Sequence, residues 1–594
     1  MIDRITTKVS GLIGLASEKL PEVKEYMQGA KADIPFAINN IKAAAPKVID
    51  YVKENKDDLK VQAVEDFHHY CKPRFSFHIE GKGDYYTEGY RSFNQREWKG
   101  IKDTAYDFRR WLKLYGYMLG TLGTHPYALI KSFERYPWMA TYLTAANMLD
   151  RHKLGLRDNQ LRYTEEQFFG VIHNSVQVIL QIIERDANLH SPNNKRAERL
   201  RNKTVMFDEM TPSIIMAGFP DLDWIDVAMS PICLPGEVDQ FANIYYVDAA
   251  ERQGLAPDVC PLPSAEVGCA IVDDYPRVGS CFVTSSMPCD GSLGAALFTS
   301  RYFKDLPRFV LTPPQRFNEP ETIEYAVKDL KNAIAFIEET QNTSWDWDYF
   351  WKKAEEYNLT TQCMLDKWDI NCTPYPQVIG SALSLQREYE FQTAGCLDPF
   401  MTKQDLKVTD MMLKGYEEDK LLNKRDYKYR AIVWCCPAHY YTHFTTWAEH
   451  TWGIRTLVDM ESMLSYHFYH IGDQEAALED MAKAYERMMM RSHSNGGYVN
   501  ALDECWKMCE KFNANIVIMY DHVSCKNFGG LHGLFEDQAR ERGIHLIWVQ
   551  HDLMDPRTVS RKAMRDSVNK YMANVFREKP LDPTYVDYAD ELTW

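Results

Sequence analysis

The sequence predicts an α/β protein: two Rossmann-like parallel-sheet domains, a helical insertion between them and a helical N-terminal region. Three observations predict it. From Val205 onward, short apolar runs of strand character alternate with helix patterns and Gly/Pro turns. The same alternation resumes after Tyr429. Before and between these blocks lie charged stretches whose apolar residues recur at helical spacing. With 594 residues the chain should hold three or four packed units, divided here as 1–200, 201–320, 321–428 and 429–594. Hydrophobic residues make up 45% and charged residues 26%, ordinary for a globular chain, so disordered, collagen-like and coiled-coil classes are excluded.

Residues 1–62 are rich in Lys and Glu, with Ile38, Ile41, Ala45, Val48 and Val52 on one helical face. They read as amphipathic helices packed on the body or on a partner. Residues 63–200 combine aromatic clusters (Trp98, Tyr106, Phe108, Trp111, Tyr115, Tyr117) with a long helix pattern over 167–187, and 191–195 reads as a linker. Strands are expected at 214–216, 243–247 and 281–285, with a helix over 248–253. A long helical region follows over 321–358, with Ala326, Leu330, Ile334 and Ile337 on one face. The second block alternates strands at 429–435, 455–459, 515–520 and 545–550 with helices at 444–451, 476–492, 498–512 and 535–542, and ends in a helix over 559–577. The two blocks read as possible relatives.

Lys+Arg 68 against Asp+Glu 84 leaves a net charge of −16 and a pI near 5.6. That argues against a nucleic-acid partner or an anionic membrane surface. No run approaches the roughly 18 apolar residues of a membrane span, and the short run 11–16 is a poor signal peptide. A cytoplasmic location is expected.

The 14 cysteines include no Cys-x-x-Cys pair, and without a secretory leader they are expected to be free. Cys435 and Cys436 are adjacent; on a strand they would face opposite ways and not share a metal. Cys505 and Cys509 share a helix face and read as core. Cys289 follows a strand and precedes Asp290-Gly291-Ser292, which can open a helix; Cys525 follows a strand and precedes Lys526-Asn527-Phe528-Gly529-Gly530. Both therefore sit in loops beyond the carboxyl ends of parallel strands, where such sheets bind ligands. Glycines and helix starts there favour thiolates. Cys260 lies past a helix in Ala256-Pro257-Asp258-Val259-Cys260-Pro261. Spacing alone leaves two readings open: three core cysteines, or one site assembled from distant loops.

Three segments carry a resemblance. Residues 246–290 read YVDAAERQGLAPDVCPLPSAEVGCAIVDDYPRVGSCFVTSSMPCD, residues 324–358 read EYAVKDLKNAIAFIEETQNTSWDWDYFWKKAEEYN, and residues 515–557 read NIVIMYDHVSCKNFGGLHGLFEDQARERGIHLIWVQHDLMDPR. In order, they resemble the 2-hydroxyacyl-CoA dehydratase/benzoyl-CoA reductase family: an AExxG helix end with a cysteine six residues on, a strand and P-C-D, a helix pair, then a cysteine loop and a D-x-x-D-x-R turn. The resemblance covers about 205–594. It implies that Cys260, Cys289 and Cys525 hold a [4Fe–4S] cluster, one iron being left open to water or a substrate oxygen. It also implies a hydro-lyase subunit of an anaerobic heterodimer, acting on an acyl-CoA through a ketyl radical, with a second dehydratase subunit and a separate ATP-hydrolysing iron–sulfur activator. The sequence contains no GxxxxGK[ST] loop of its own, which fits that division of labour.

Rival readings are a subunit of an aryl-CoA (benzoyl-CoA type) reductase, a double-cubane-cluster reductase and a cluster-free structural subunit. Glu209, His522 and His532 are the candidate catalytic groups, with His551 nearby; each histidine is as readily a satisfied loop residue. Asp290 reads as a helix cap. The run Trp345, Trp347, Tyr349, Phe350, Trp351 reads as helix packing. His439, His443 and His450 lack the HExxH arrangement of a zinc site. Three departures from the family stand out. Residues 1–200 have only loose counterparts. Ser213-Ile214-Ile215 stand where an acid is usual after Pro212, which points to an electron-relaying rather than a substrate-binding subunit if that acid handles substrate. Cys269 and Cys281 lie near enough in sequence to replace Cys260 or to add a fourth ligand.

Overall fold

In the computed structural model, residues 101–145, 158–207, 211–286, 289–312, 319–377, 397–460, 467–488 and 497–587 are described, with a strand pair before 87 and isolated positions elsewhere. That pair is an antiparallel hairpin, β1 (Ser76–Ile79) and β2 (Gly83–Tyr86).

The α/β expectation holds. The first sheet contains β3 (Thr204–Phe207), β4 (Asp223–Asp226), β5 (Cys281–Ser285) and β6 (Arg308–Leu311), ordered β4-β3-β5-β6 with every pairing parallel. The second contains β7 (Tyr429–Trp434), β8 (Ile454–Asp459), β9 (Ile516–His522) and β10 (His545–His551), ordered β10-β9-β7-β8 and again parallel. Counted from its own first strand, each sheet runs second, first, third, fourth. The chain therefore reverses direction across the sheet between β3 and β5, and again between β7 and β9. Such switch points open crevices beyond the strand carboxyl ends. β5 is buried at every position and β7 at all but its first, as expected for parallel strands covered on both faces.

Two expected elements differ. The apolar stretch at 243–247 opens the helix Ile244–Arg252, which buries Tyr246, Val247 and Ala250 on one face. The stretch at 214–216 is a buried 3₁₀ turn, Ser213–Met216. The region 321–358 holds the helix pair that the resemblance implies: Pro320–Gln341, which ends at left-handed Asn342, and Trp347–Cys372, whose N-cap Asp346 accepts the Tyr349 N–H at 3.0 Å. The tryptophan run is packing, as read. The Trp345 ring lies so close over Gly218 that a Cβ there would meet it at 2.2 Å, and Phe219 meets its edge at 5.2 Å between centroids.

One hydrophobic cluster runs from Leu114 to Met572, so the helical segments and both sheets share a core. Ile101–Leu122, Asp158–Arg185 and Pro399–Leu422 pack side by side, tied by Arg110–Glu165 at 3.1 Å and Gln404–Glu166 at 2.7 Å. Arg185 carries this layer to the first sheet through Thr204 and Asp223. The expected linker at 191–195 is a capped turn: Asn194 starts the helix Lys195–Asn202, and Asp33 accepts the Ser191 N–H at 2.7 Å. Of the other residues read as N-terminal helix, Ile41, Ala45, Val48 and Val52 lie outside the described residues. Among the described residues, no helix is long and apolar enough to cross a membrane.

Candidate functional site

The three cysteines occupy equivalent local positions. Cys260 is the N-cap residue of the helix Pro261–Ile271, Cys289 that of Asp290–Thr299, and Cys525 that of the single turn Lys526–Gly529. Cys289 follows β5 and Cys525 follows β9, each the third strand of its sheet. Cys260 is placed by packing. Its helix crosses Ile244–Arg252 so closely that a Cβ on Gly268 would stand 1.8 Å from the Tyr246 carbonyl oxygen.

All three are partly exposed and line one cavity of about 490 Å³, within the range of ligand pockets. Its apolar walls are Leu255, Val259, Pro263, Phe528 and Leu553. Residues from both α/β units contribute, and several contacts join the units around it. Lys526 Nζ meets Asp258 at 3.0 Å at the mouth, and His522 Nε2 lies 3.4 Å from Cys260 Sγ. Arg557, paired with Asp555 in the D-x-x-D-x-R turn, donates to Asp248 Oδ1 at 2.8 Å. The Leu553 carbonyl accepts the His439 N–H at 2.9 Å within the second unit, while His439 Nδ1 stands 3.4 Å from Glu237 in the first.

Burial pushes the Cys260 thiol well above its ordinary range, and the neighbouring Cys289, Asp552 and Cys525 push it the same way, against the Leu262 N–H. The helix end therefore does not win at this thiol. Three sulfurs that share a cavity repel one another as anions, and only a cation among them makes the thiolate form stable. Burial likewise lifts Asp552 to about 6, even though its side chain accepts the Met554 and Asp555 N–H groups.

His522 is buried, and burial pushes its imidazole down to about 4. The Ser524 N–H donates to Nδ1 at 3.3 Å, so the ring proton sits on Nε2 and points at the Cys260 sulfur. His532 goes elsewhere. It stacks on Trp548 at 3.9 Å and pairs with Asp521 Oδ1 at 2.9 Å, away from the cavity lining. His551 lies beneath His522, 5.2 Å between rings, fully buried and outside the lining. Glu209 falls outside the described residues. Cys289 itself is the cap position, so Asp290 is the first helical residue.

Cys269 and Cys281 do not reach the cavity. Both are fully buried, and the Cys281 sulfur accepts from Gln341 Nε2 at 3.3 Å. Cys505 and Cys509 are core, as read. His439, His443 and His450 take separate partners: Glu237, the Tyr441 ring and Asp582. The sequence reading missed Cys435 and Cys436, which line the cavity with the other three. The signal lay in their position immediately past a strand of a parallel sheet, the criterion that had selected Cys289 and Cys525.

Among the described residues, no three His, Cys, Asp or Glu side chains stand close enough to share one metal ion. A single ion draws its thiolates to about 2.3 Å from one point. A four-iron core is a larger body with a thiolate at each corner. Cys260, Cys289 and Cys525, on three loops around one cavity, are the donor type that body takes.

Two four-stranded parallel sheets and one cavity lined by cysteines from both α/β units define an α/β protein with a thiol-lined site. Residues 241–571, more than half of the chain, match the family described as 2-hydroxyglutaryl-CoA dehydratase, D-component, and the chain belongs to that family. It is thereby a subunit of the 2-hydroxyacyl-CoA dehydratase type. A search of curated proteins found no match.

Proposed function

We propose that the chain is the iron–sulfur subunit of an ATP-activated, radical 2-hydroxyacyl-CoA dehydratase. One observation carries this: Cys260, Cys289 and Cys525, far apart in sequence and drawn from both α/β units, line a single cavity. These three would hold a [4Fe–4S] cluster. When bound, the cluster supplies low-potential electrons and Lewis acidity for a dehydration whose β-proton is otherwise too weakly acidic to remove.

The chain's own residues do the rest. Leu255, Val259, Phe528 and Leu553 give the cavity an apolar wall beside the sulfurs. His522 donates its Nε2–H to the Cys260 sulfur, fixing that ligand's direction and drawing charge from it. The Arg557–Asp248 pair, with Arg557 also held by Asp555, links the two units beside the cavity. Water removal from the acyl-CoA is completed with a second subunit, after an ATP-hydrolysing activator delivers the electron. The compartment proposed is the cytoplasm.

The test is anaerobic purification with iron and sulfide analysis of wild type and Cys289→Ala. About four irons per wild-type chain, mostly lost in the variant, is expected; an iron-free wild type that reconstitution cannot load defeats the reading. Assay with activator, ATP and a panel of CoA esters then checks the reaction. Enoyl-CoA formation from a 2-hydroxyacyl-CoA is expected, whereas reduction of an aryl-CoA ring alone would move the chain to the reductase branch.

A further inference from the structure

The cavity holds more sulfur than the three cysteines just described. Cys435 and Cys436 follow β7, the first strand of the second sheet, and line the same space as Cys260, Cys289 and Cys525. They stand at the switch point beside the Cys525 loop, because β7 pairs directly with β9. The alternation that sends neighbouring strand residues to opposite faces no longer applies to them. β7 ends at Trp434, and Cys435 takes a left-handed backbone conformation with φ of 70°. A side chain is costly there, and glycine is the usual occupant. Both thiols are almost entirely shielded from solvent, at 1% and 3% exposure, yet border the cavity.

We propose that the Cys435–Cys436 dyad supplies a fourth thiolate to the group held by Cys260, Cys289 and Cys525, closing the site on this chain. The inference rests on the iron–sulfur reading above, keeps its supply of electrons and moves its Lewis-acid role to the partner subunit. Ligation transfers the thiol proton to solvent and leaves one sulfur–iron bond in its place, with no change of oxidation state. With a thiolate at every corner, no iron is open to a substrate oxygen. The site then passes electrons, and the acyl-CoA reacts on the partner subunit. The dyad replaces Cys269 and Cys281, which do not line the cavity, as the source of a fourth ligand.

The experiment uses the full chain, reconstituted anaerobically with ferrous iron and sulfide, in five forms: wild type, Cys435→Gly, Cys436→Ser, the double variant and Cys289→Ala. Each is oxidised mildly with ferricyanide and read by electron paramagnetic resonance. An iron without a cysteine ligand is the one lost on oxidation, leaving a three-iron signal. Wild type is expected to resist this loss. The double variant should bind the same iron and give a several-fold larger three-iron signal, and one single variant should reproduce it. Glycine suits the backbone at 435 and serine is nearly isosteric at 436, and unchanged far-ultraviolet dichroism of the apo-proteins controls for folding. An equal three-iron signal in wild type and double variant overturns the fourth ligand while leaving the other three intact. About eight irons in wild type and about four in the double variant overturns it too, in favour of a second cluster on the dyad. Cys289→Ala with wild-type iron content instead sinks the reading beneath it.

Discussion

The first and second α/β units use one strand order and furnish it differently. In the first, β3 and β4 have four residues each, and the thiols stand at the starts of two full helices, Pro261–Ile271 and Asp290–Thr299. In the second, β7 has six residues and β9 seven, and the thiols sit directly at strand ends or before a four-residue turn. Helix packing sets the first unit's sulfurs, and sheet register sets the second's. A close helix–helix contact should therefore govern Cys260, whereas β-ladder integrity should govern Cys435, Cys436 and Cys525.

The most severe way to break this comparison is to remove one sulfur from each unit. Cys289→Ala and Cys525→Ala should each strip most of the iron and abolish dehydration. Metal analysis showing loss in one variant alone would mean that the units do not share a site. Next is Arg430→Ala in the second unit. The buried guanidinium donates to the Asn371, Thr373 and Phe512 carbonyls, each at 2.9 Å, and so ties the end of Trp347–Cys372 to β7. Charged hydrogen bonds of this kind are worth about 1.5–3 kcal/mol each, so chemical denaturation should show a loss of about 3 kcal/mol or more. Gly268→Ala comes third. The added methyl would meet the Tyr246 carbonyl, and the helices must part at a cost of about 1–3 kcal/mol. Iron retention should fall with stability here, because Cys260 moves with its helix; full retention would show that helix packing does not set that sulfur. Smallest is Lys526→Ala. Its partner Asp258 is 67% exposed and the lysine 76%, so solvent screens the pair and the thermal melting temperature should stay at the wild-type value.

The second sheet was largely legible in the sequence. Its strands are long, rich in β-branched and aromatic residues and bounded by turns, as in Ile516–Tyr520. The first was only partly so. β4 reads Asp-Trp-Ile-Asp, and its flanking aspartates conceal a four-residue strand. Tyr245, Tyr246 and Val247 have strand propensity but open a helix, because Tyr246, Val247 and Ala250 fall on one buried face against Pro261–Ile271. Strand-to-loop context picked out Cys289 and Cys525, and the family resemblance added Cys260, which no periodicity marks. Cys435 and Cys436 were set aside by the face-alternation rule, which fails one residue past the strand, where φ turns positive. His522 was legible as a neighbour of the cysteine loop. Its role as a donor to sulfur depends on which ring nitrogen the Ser524 N–H occupies, and that is a property of the folded loop.

The order in which these sulfurs emerge during synthesis has a consequence for maturation. Cys260 and Cys289 leave the ribosome more than two hundred residues ahead of Cys525, and of Phe528 and Leu553, which complete the cavity wall. A nascent chain exposes an unfinished thiol pair for much of translation. On the proposed reading, a group held by all three sulfurs can enter only after β9 and its loop have been made, and truncation before β9 removes the third of them.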